Sequence, residues 1–123
     1  MLTVGPEPDK FSVQLREDSD RWRSSPAIAI YKDETCFVIG GIGEYLSVKL
    51  SSVSCYNIAK DQWEQGTSRL NVSRSKSAAC SLGDSVFVFA GDGTEGRVNS
   101  VERINVPAIG NDGAAWELIQ LRA

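Results

Sequence analysis

The sequence predicts an all-β chain of short strands, and three observations carry that prediction. The stretch Gly83-Asp84-Ser85-Val86-Phe87-Val88-Phe89-Ala90-Gly91 is a polar turn, an apolar run and a glycine stop. A run this short, this rich in valine and phenylalanine, and bounded by turn signals reads as a strand buried on both faces rather than as a helix. A second copy lies upstream, Asp33-Glu34-Thr35-Cys36-Phe37-Val38-Ile39-Gly40-Gly41, so that Phe37 and Phe87, and likewise Gly41 and Gly91, stand 50 positions apart. No segment shows a helical period, and turn residues interrupt the chain throughout. A repeat of this length made of strands predicts a propeller-like array of sheets.

In chain order, residues 1–10 carry Glu7, Asp9 and two prolines and read as a polar, poorly ordered lead-in. Phe11 to Leu15 alternates apolar and polar residues, the period of a half-buried strand. A polar segment then leads to Trp22. Ala27 to Tyr31 and Thr35 to Ile39 follow as strands around the turn Lys32-Asp33-Glu34. Gly40-Gly41 permits positive φ and a sharp exit from a sheet. After a looser connection over 42–52 comes the strand Val53 to Ile58, and the turn Lys60-Asp61-Gln62 delivers Trp63. Beyond the loop 66–73, strands are expected at 77–82, 86–90 and within 98–106. A glycine-bearing loop occupies 92–96, a turn-rich insertion 107–113, and a last strand 116–119. The three-residue tail 121–123 closes the chain.

Composition narrows the function. Lys plus Arg is 13 and Asp plus Glu is 16, a net charge of −3. Without a basic surplus there is no field for non-specific nucleic-acid binding or for a polybasic membrane anchor. No apolar run approaches the roughly twenty residues of a membrane span. The N-terminus lacks the basic start and apolar middle of a secretory signal. Cys36, Cys55 and Cys80 are odd in number and fall in predicted strands, so a reducing, cytoplasmic setting is expected over a disulfide framework. With no histidine and no Cys-x-x-Cys, zinc ligation and Ser-His-Asp or Cys-His chemistry lack their parts. No metal, cofactor or catalytic residue is expected.

Aligned on the glycines, Ala29 falls with Ala79, Ile39 with Phe89, Val53 with Val101, Asn57 with Asn105, and Trp63 with Trp116. Leu15 to Trp22 matches Tyr56 to Trp63 in spacing, so residues 11–22 look like the trailing half of an earlier unit. The ordered set Val38-Ile39-Gly40-Gly41, Tyr56, Trp63 resembles the kelch repeat. The second copy keeps Gly91 and Trp116 and departs at Ala90 and Ile104. The resemblance implies a partial kelch-type β-propeller, about two four-stranded antiparallel blades plus half of another. Repeat one would cover 23–66 and repeat two 67–120, with Gly40, Gly41, Tyr56, Trp63, Gly91 and Trp116 as structural positions. Trp-Asp is absent, and a WD-type repeat would be shorter.

The resemblance also implies a non-catalytic protein-interaction module, part of a larger propeller, with an unknown protein as partner. Family loops at one end of the ring make such contacts. By position these carry Glu44, Tyr45, Lys49, Arg69, Arg74, Asp92, Glu95 and Arg97. Tyr45, Arg69, Arg74 and Arg97 are the candidate binding residues, Tyr and Arg being favoured at interface hot spots. The alternative is a fragment of a kelch-fold enzyme, galactose-oxidase-like or sialic-acid-epimerase-like. Two blades leave apolar faces open, which invites self-association through them. Gly91-Asp92-Gly93-Thr94-Glu95-Gly96 spells G-x-G-x-x-G, but a strand pattern follows it, so it reads as a turn. Asn71-Val72-Ser73 matches a glycosylation acceptor without a secretory context.

Overall fold

The computed structural model describes residues 3–4, 12–14, 22–43, 48–110 and 114–120. Its strands are β1 (Thr3–Val4), β2 (Ser12–Gln14), β3 (Trp22–Ser24), β4 (Ala27–Tyr31), β5 (Thr35–Ile39), β6 (Ile42–Gly43) and β7 (Val53–Asn57). They continue with β8 (Gln62–Glu64), β9 (Ala78–Leu82), β10 (Ser85–Phe89), β11 (Asp92–Gly93), β12 (Gly96–Arg97), β13 (Ser100–Asn105) and β14 (Glu117–Gln120). A 3-10 turn, Val106–Ala108, follows β13. Among the described residues no helix is long and apolar enough to cross a membrane.

Three four-stranded sheets result, in the orders β1-β2-β3-β6, β4-β5-β7-β8 and β14-β13-β10-β9, with β11-β12 as a separate hairpin. They are called sheets one, two and three. Every pairing is antiparallel. Within sheet two, Ala27 lies opposite Ile39 and Ile39 opposite Val53. Within sheet three, Ala78 lies opposite Phe89 and Phe89 opposite Val101. The two sheets are therefore the same unit, repeated. The expected lead-in contributes β1, whose Val4 pairs with Val13, and the rest of that segment lies outside the described residues. Residues 11–22 supply β2 and the first residue of β3.

The register corrects one expected equivalence. Ala29 corresponds to Cys80, not Ala79, since Ala29 lies opposite Phe37 and Cys80 opposite Phe87. The cause is turn length. β4 and β5 are joined by three residues, Lys32, Asp33 and Glu34, whereas Gly83 and Asp84 alone join β9 to β10. Positions before this turn are thus offset by one more than positions after it.

Sheets two and three pack face against face. Ala29, Phe37, Ile39 and Val53 on one side meet Val86, Val88, Ile104 and Trp116 on the other in one apolar cluster. Polar atoms seal its rim: the Tyr31 hydroxyl donates to Asp84 Oδ1 at 3.0 Å, and Trp116 Nε1 donates to Thr67 Oγ1 at 2.9 Å. The opposite face of sheet two holds a second cluster of Cys36, Val38 and Tyr56, with Ile28 and Trp63 against it. The β5 run is therefore buried on both faces, because successive residues point to opposite sides and both sides are covered. The β10 run is not. Val86 and Val88 are fully buried, but Phe87 is only half-buried and Phe89 is exposed. Expected burial on both faces fails there because nothing described packs on the second side.

Candidate protein-interaction surface

The connections that leave at Gly40, Gln65 and Ala90 and return at Ser52, Ser77 and Asn99 lie at one end of the sheets. Each follows a second or fourth strand and precedes a third or first strand, and in an antiparallel sheet those termini lie together. The turns 32–34, 58–61 and 83–84 lie at the other end. Below the loop end, the backbone is tied into a ladder. Gly41 N–H donates to the Arg74 carbonyl, Arg74 N–H to the Leu50 carbonyl, and Leu70 N–H to the Ser51 carbonyl. Ser24 pairs with Ile42, and Ser75 pairs with Asp92 in the same way one repeat later.

Two glycines make this crossing possible. Gly41 and Gly91 have φ of +109° and +98°, and a Cβ on either would press on the carbonyl of Ser24 or Ser75. A left-handed backbone and a close backbone approach both demand glycine here.

Beneath the ladder lies a buried polar pin. The Arg74 side chain is wholly buried. Its Nη1 donates to the carbonyls of Ala90 at 3.2 Å and Ser100 at 2.8 Å, and its Nη2 to Ser100 Oγ at 2.9 Å and Glu102 Oε2 at 2.8 Å. Glu102, equally buried, also accepts from the Asn71 N–H at 2.7 Å, from Asn71 Nδ2 at 3.0 Å, and from the Val72 N–H at 3.0 Å. A buried charge of either sign is tolerated only when paired and hydrogen-bonded, and each meets that condition. The pin fixes the connection 70–74 onto β13. Asn71 Nδ2 also donates to the Trp116 carbonyl, so the amide of the sequon is occupied in holding this loop.

This removes Arg74 from the binding residues expected from sequence: a guanidinium sealed under its own backbone reaches no partner. The error came from the usual exposure of arginine. Glu102 was missed for the same reason. One signal pointed to the arginine, the dipeptide Arg-Ser at Arg23-Ser24 and again at Arg74-Ser75.

The other loop candidates fall into three groups. Arg69 is exposed, with Nη1 3.4 Å from Ser51 Oγ. Arg97 and Glu95 are exposed on the β11–β12 hairpin. That hairpin and Asn71–Ser73 bound a polar cleft of about 510 Å³. Lys49 and Asp92 are half-buried, their backbones bridged to Ile42 and Ser75. Glu44 and Tyr45 lie outside the described residues.

Of the aromatic positions, Tyr56 lies on the inner strand β7, Trp63 on the edge strand β8, and Trp116 just before the edge strand β14. Tyr56 lies opposite Trp63, their rings edge-on with centroids 5.0 Å apart. Continuing the β13–β14 register by one residue sets Trp116 opposite Ile104. Trp116 is buried and Trp63 half-buried.

Residues 29–69, from within β4 to Arg69, match the Kelch motif. The chain carries a kelch repeat. Its sheets are blades of a partial kelch-type β-propeller, and the matched stretch is most of the second of them with the first part of its trailing connection. No match was found among curated proteins. The third kelch blade lies outside the matched residues, but it reproduces the strand pairing of the second position by position. Among the described residues no three His, Cys, Asp or Glu side chains converge as a metal site would require.

Proposed function

We propose that this kelch-repeat chain is a non-catalytic protein-interaction module. It takes its partner on the loop end of the blades and works as part of a larger assembly of blades. The observation supporting this reading is the contrast at that end. Arg69, Glu95 and Arg97 stand exposed on loops, while the connection beneath them is fixed by the Arg74–Glu102 pin. A rigid base presenting exposed arginines loses little conformational freedom on binding. Arg69 and Arg97 are the principal contacts. A reducing, cytoplasmic setting accords with Cys36 and Cys55, unpaired thiols buried in opposite faces of one sheet.

The test is affinity capture from a cell extract with the wild-type chain, Arg69→Ala and Arg97→Ala, beside their melting temperatures. The expected result is loss of the captured partner in both variants at unchanged Tm. Equal capture by wild type and both variants overturns the assignment.

A further inference from the structure

Sheet three has one face that contributes no residue to either apolar cluster. Strand register assembles it from Cys80 and Leu82 on β9, Phe87 and Phe89 on β10, Val101 and Arg103 on β13, and Glu117 and Ile119 on β14. Leu82 is 70% exposed, whereas its counterpart Tyr31 in sheet two is 6% exposed. Phe89 is 37% exposed, and its counterpart Ile39 is 1%. The repeat thus shows that these positions are ones the fold covers.

We propose that this face is covered by the same face of a second copy of the chain, in a two-fold dimer. Three observations select that occupant. First, the kind of face that covers these positions within the chain, Val86, Val88, Ile104 and Trp116, is already used against sheet two. Among the described side chains, what a second copy can still offer is its own Phe87–Phe89 face. A self-matching patch is what a two-fold interface uses.

Second, Ala90 stands where sheet two has Gly40. A Cβ at Gly40 would collide with the Arg74 carbonyl of the connection entering the next blade. Ala90 carries that Cβ, at φ +50°. A further blade joined as the third is joined to the second would meet it.

Third, among the described residues the charges on the face are Arg103 and Glu117, 2.6 Å apart and each about half exposed. The face is therefore electrically neutral. A two-fold axis passing between these two side chains, across the line that joins them, sets each charge toward its opposite on the second copy, without repulsion between like groups.

The experiment is sedimentation velocity of the full chain over a concentration series, with Leu82→Asp, Phe89→Asp and the turn variant Lys60→Ala. The expected result is a concentration-dependent dimer for wild type and Lys60→Ala, and monomer for both face variants over the same range. A wild-type chain that stays monomeric throughout overturns the proposal and leaves the face to a further blade. Species larger than a dimer, or a dimer indifferent to both aspartates, also overturn it. Cys80, exposed on this face, gives a second reading by maleimide labelling of the folded chain. Labelling is expected to slow at concentrations where the dimer forms, and to stay fast in Leu82→Asp. Labelling of wild-type Cys80 that does not change with concentration counts against the dimer.

Discussion

Arg23 and Arg74, 51 positions apart, are the same residue of the same device. Each stands shortly before the first strand of a blade, Arg23 on β3, lies wholly buried, and drives its guanidinium beneath the two central strands of that blade. Arg23 Nη1 donates to the carbonyls of Gly40 at 2.9 Å and Ser52 at 3.1 Å, and Nη2 to the hydroxyls of Ser52 at 3.1 Å and Ser54 at 3.3 Å. Arg74 reaches the corresponding acceptors Ala90, Ser100 and Glu102. At the fourth corresponding position the two differ, a serine in one blade and a carboxylate in the next.

That difference predicts unequal sensitivity. Glu102→Ala would leave the buried Arg74 charge without its carboxylate, and the N–H groups of Asn71 and Val72 without an acceptor. Breaking a buried pair from one side costs about 3–5 kcal/mol. Urea unfolding should show a loss of that order for Glu102→Ala, and a smaller one for Ser54→Ala. Equal, small losses would contradict the pin.

The glycine step yields a prediction with opposite signs at matching sites. Ala90 holds φ +50°, a region costing an L-residue about 1–2 kcal/mol, with no glycine to relieve it. Ala90→Gly should therefore raise Tm slightly. Gly40→Ala should lower it by several degrees, since strain at φ +62° adds to collision with the Arg74 carbonyl. Thermal unfolding of the two variants checks both signs.

Alkaline pH should weaken the fold through Cys55. Burial, and next the Glu64 carboxylate, push its thiol up from 9.0 to about 12. The folded chain holds the protonated form more strongly than the unfolded chain does. The resulting stabilisation is complete below about pH 9 and is lost as pH rises from there toward 12. Burial also raises the Cys36 thiol, so the two share the effect. Cys55→Ala should make the stability curve flatter above pH 9. A slope equal to that of wild type would remove Cys55 as its source.

Much of the architecture was legible because its signals are local. The apolar runs ending in glycine are β5 and β10, and Asn57 and Asn105 end matching strands opposite Thr35 and Ser85. What was illegible depends on contacts distant in sequence. The Ala29–Ala79 match failed by one residue because a three-residue and a two-residue turn look alike when only the glycines anchor the alignment. Phe89 has the composition of a core residue, and only the arrangement of sheets reveals that its side is open. Arg74 reads in sequence as a loop arginine offered to a partner, and Glu102 is not singled out, because only the folded chain brings the two together across 28 residues.

The pins also set where the protein can be cut. Each guanidinium is donated from upstream of the blade it completes, so the natural unit begins at the arginine and not at the first strand. The kelch-matched segment 29–69 contains neither Arg23 nor Arg74. Excised at those limits, it would carry an empty polar slot under Gly40 and Ser52, and it would leave its own contribution to the next blade behind. An autonomous fragment of the third blade has to start no later than Leu70, so that Asn71 and Val72 travel with the carboxylate they satisfy.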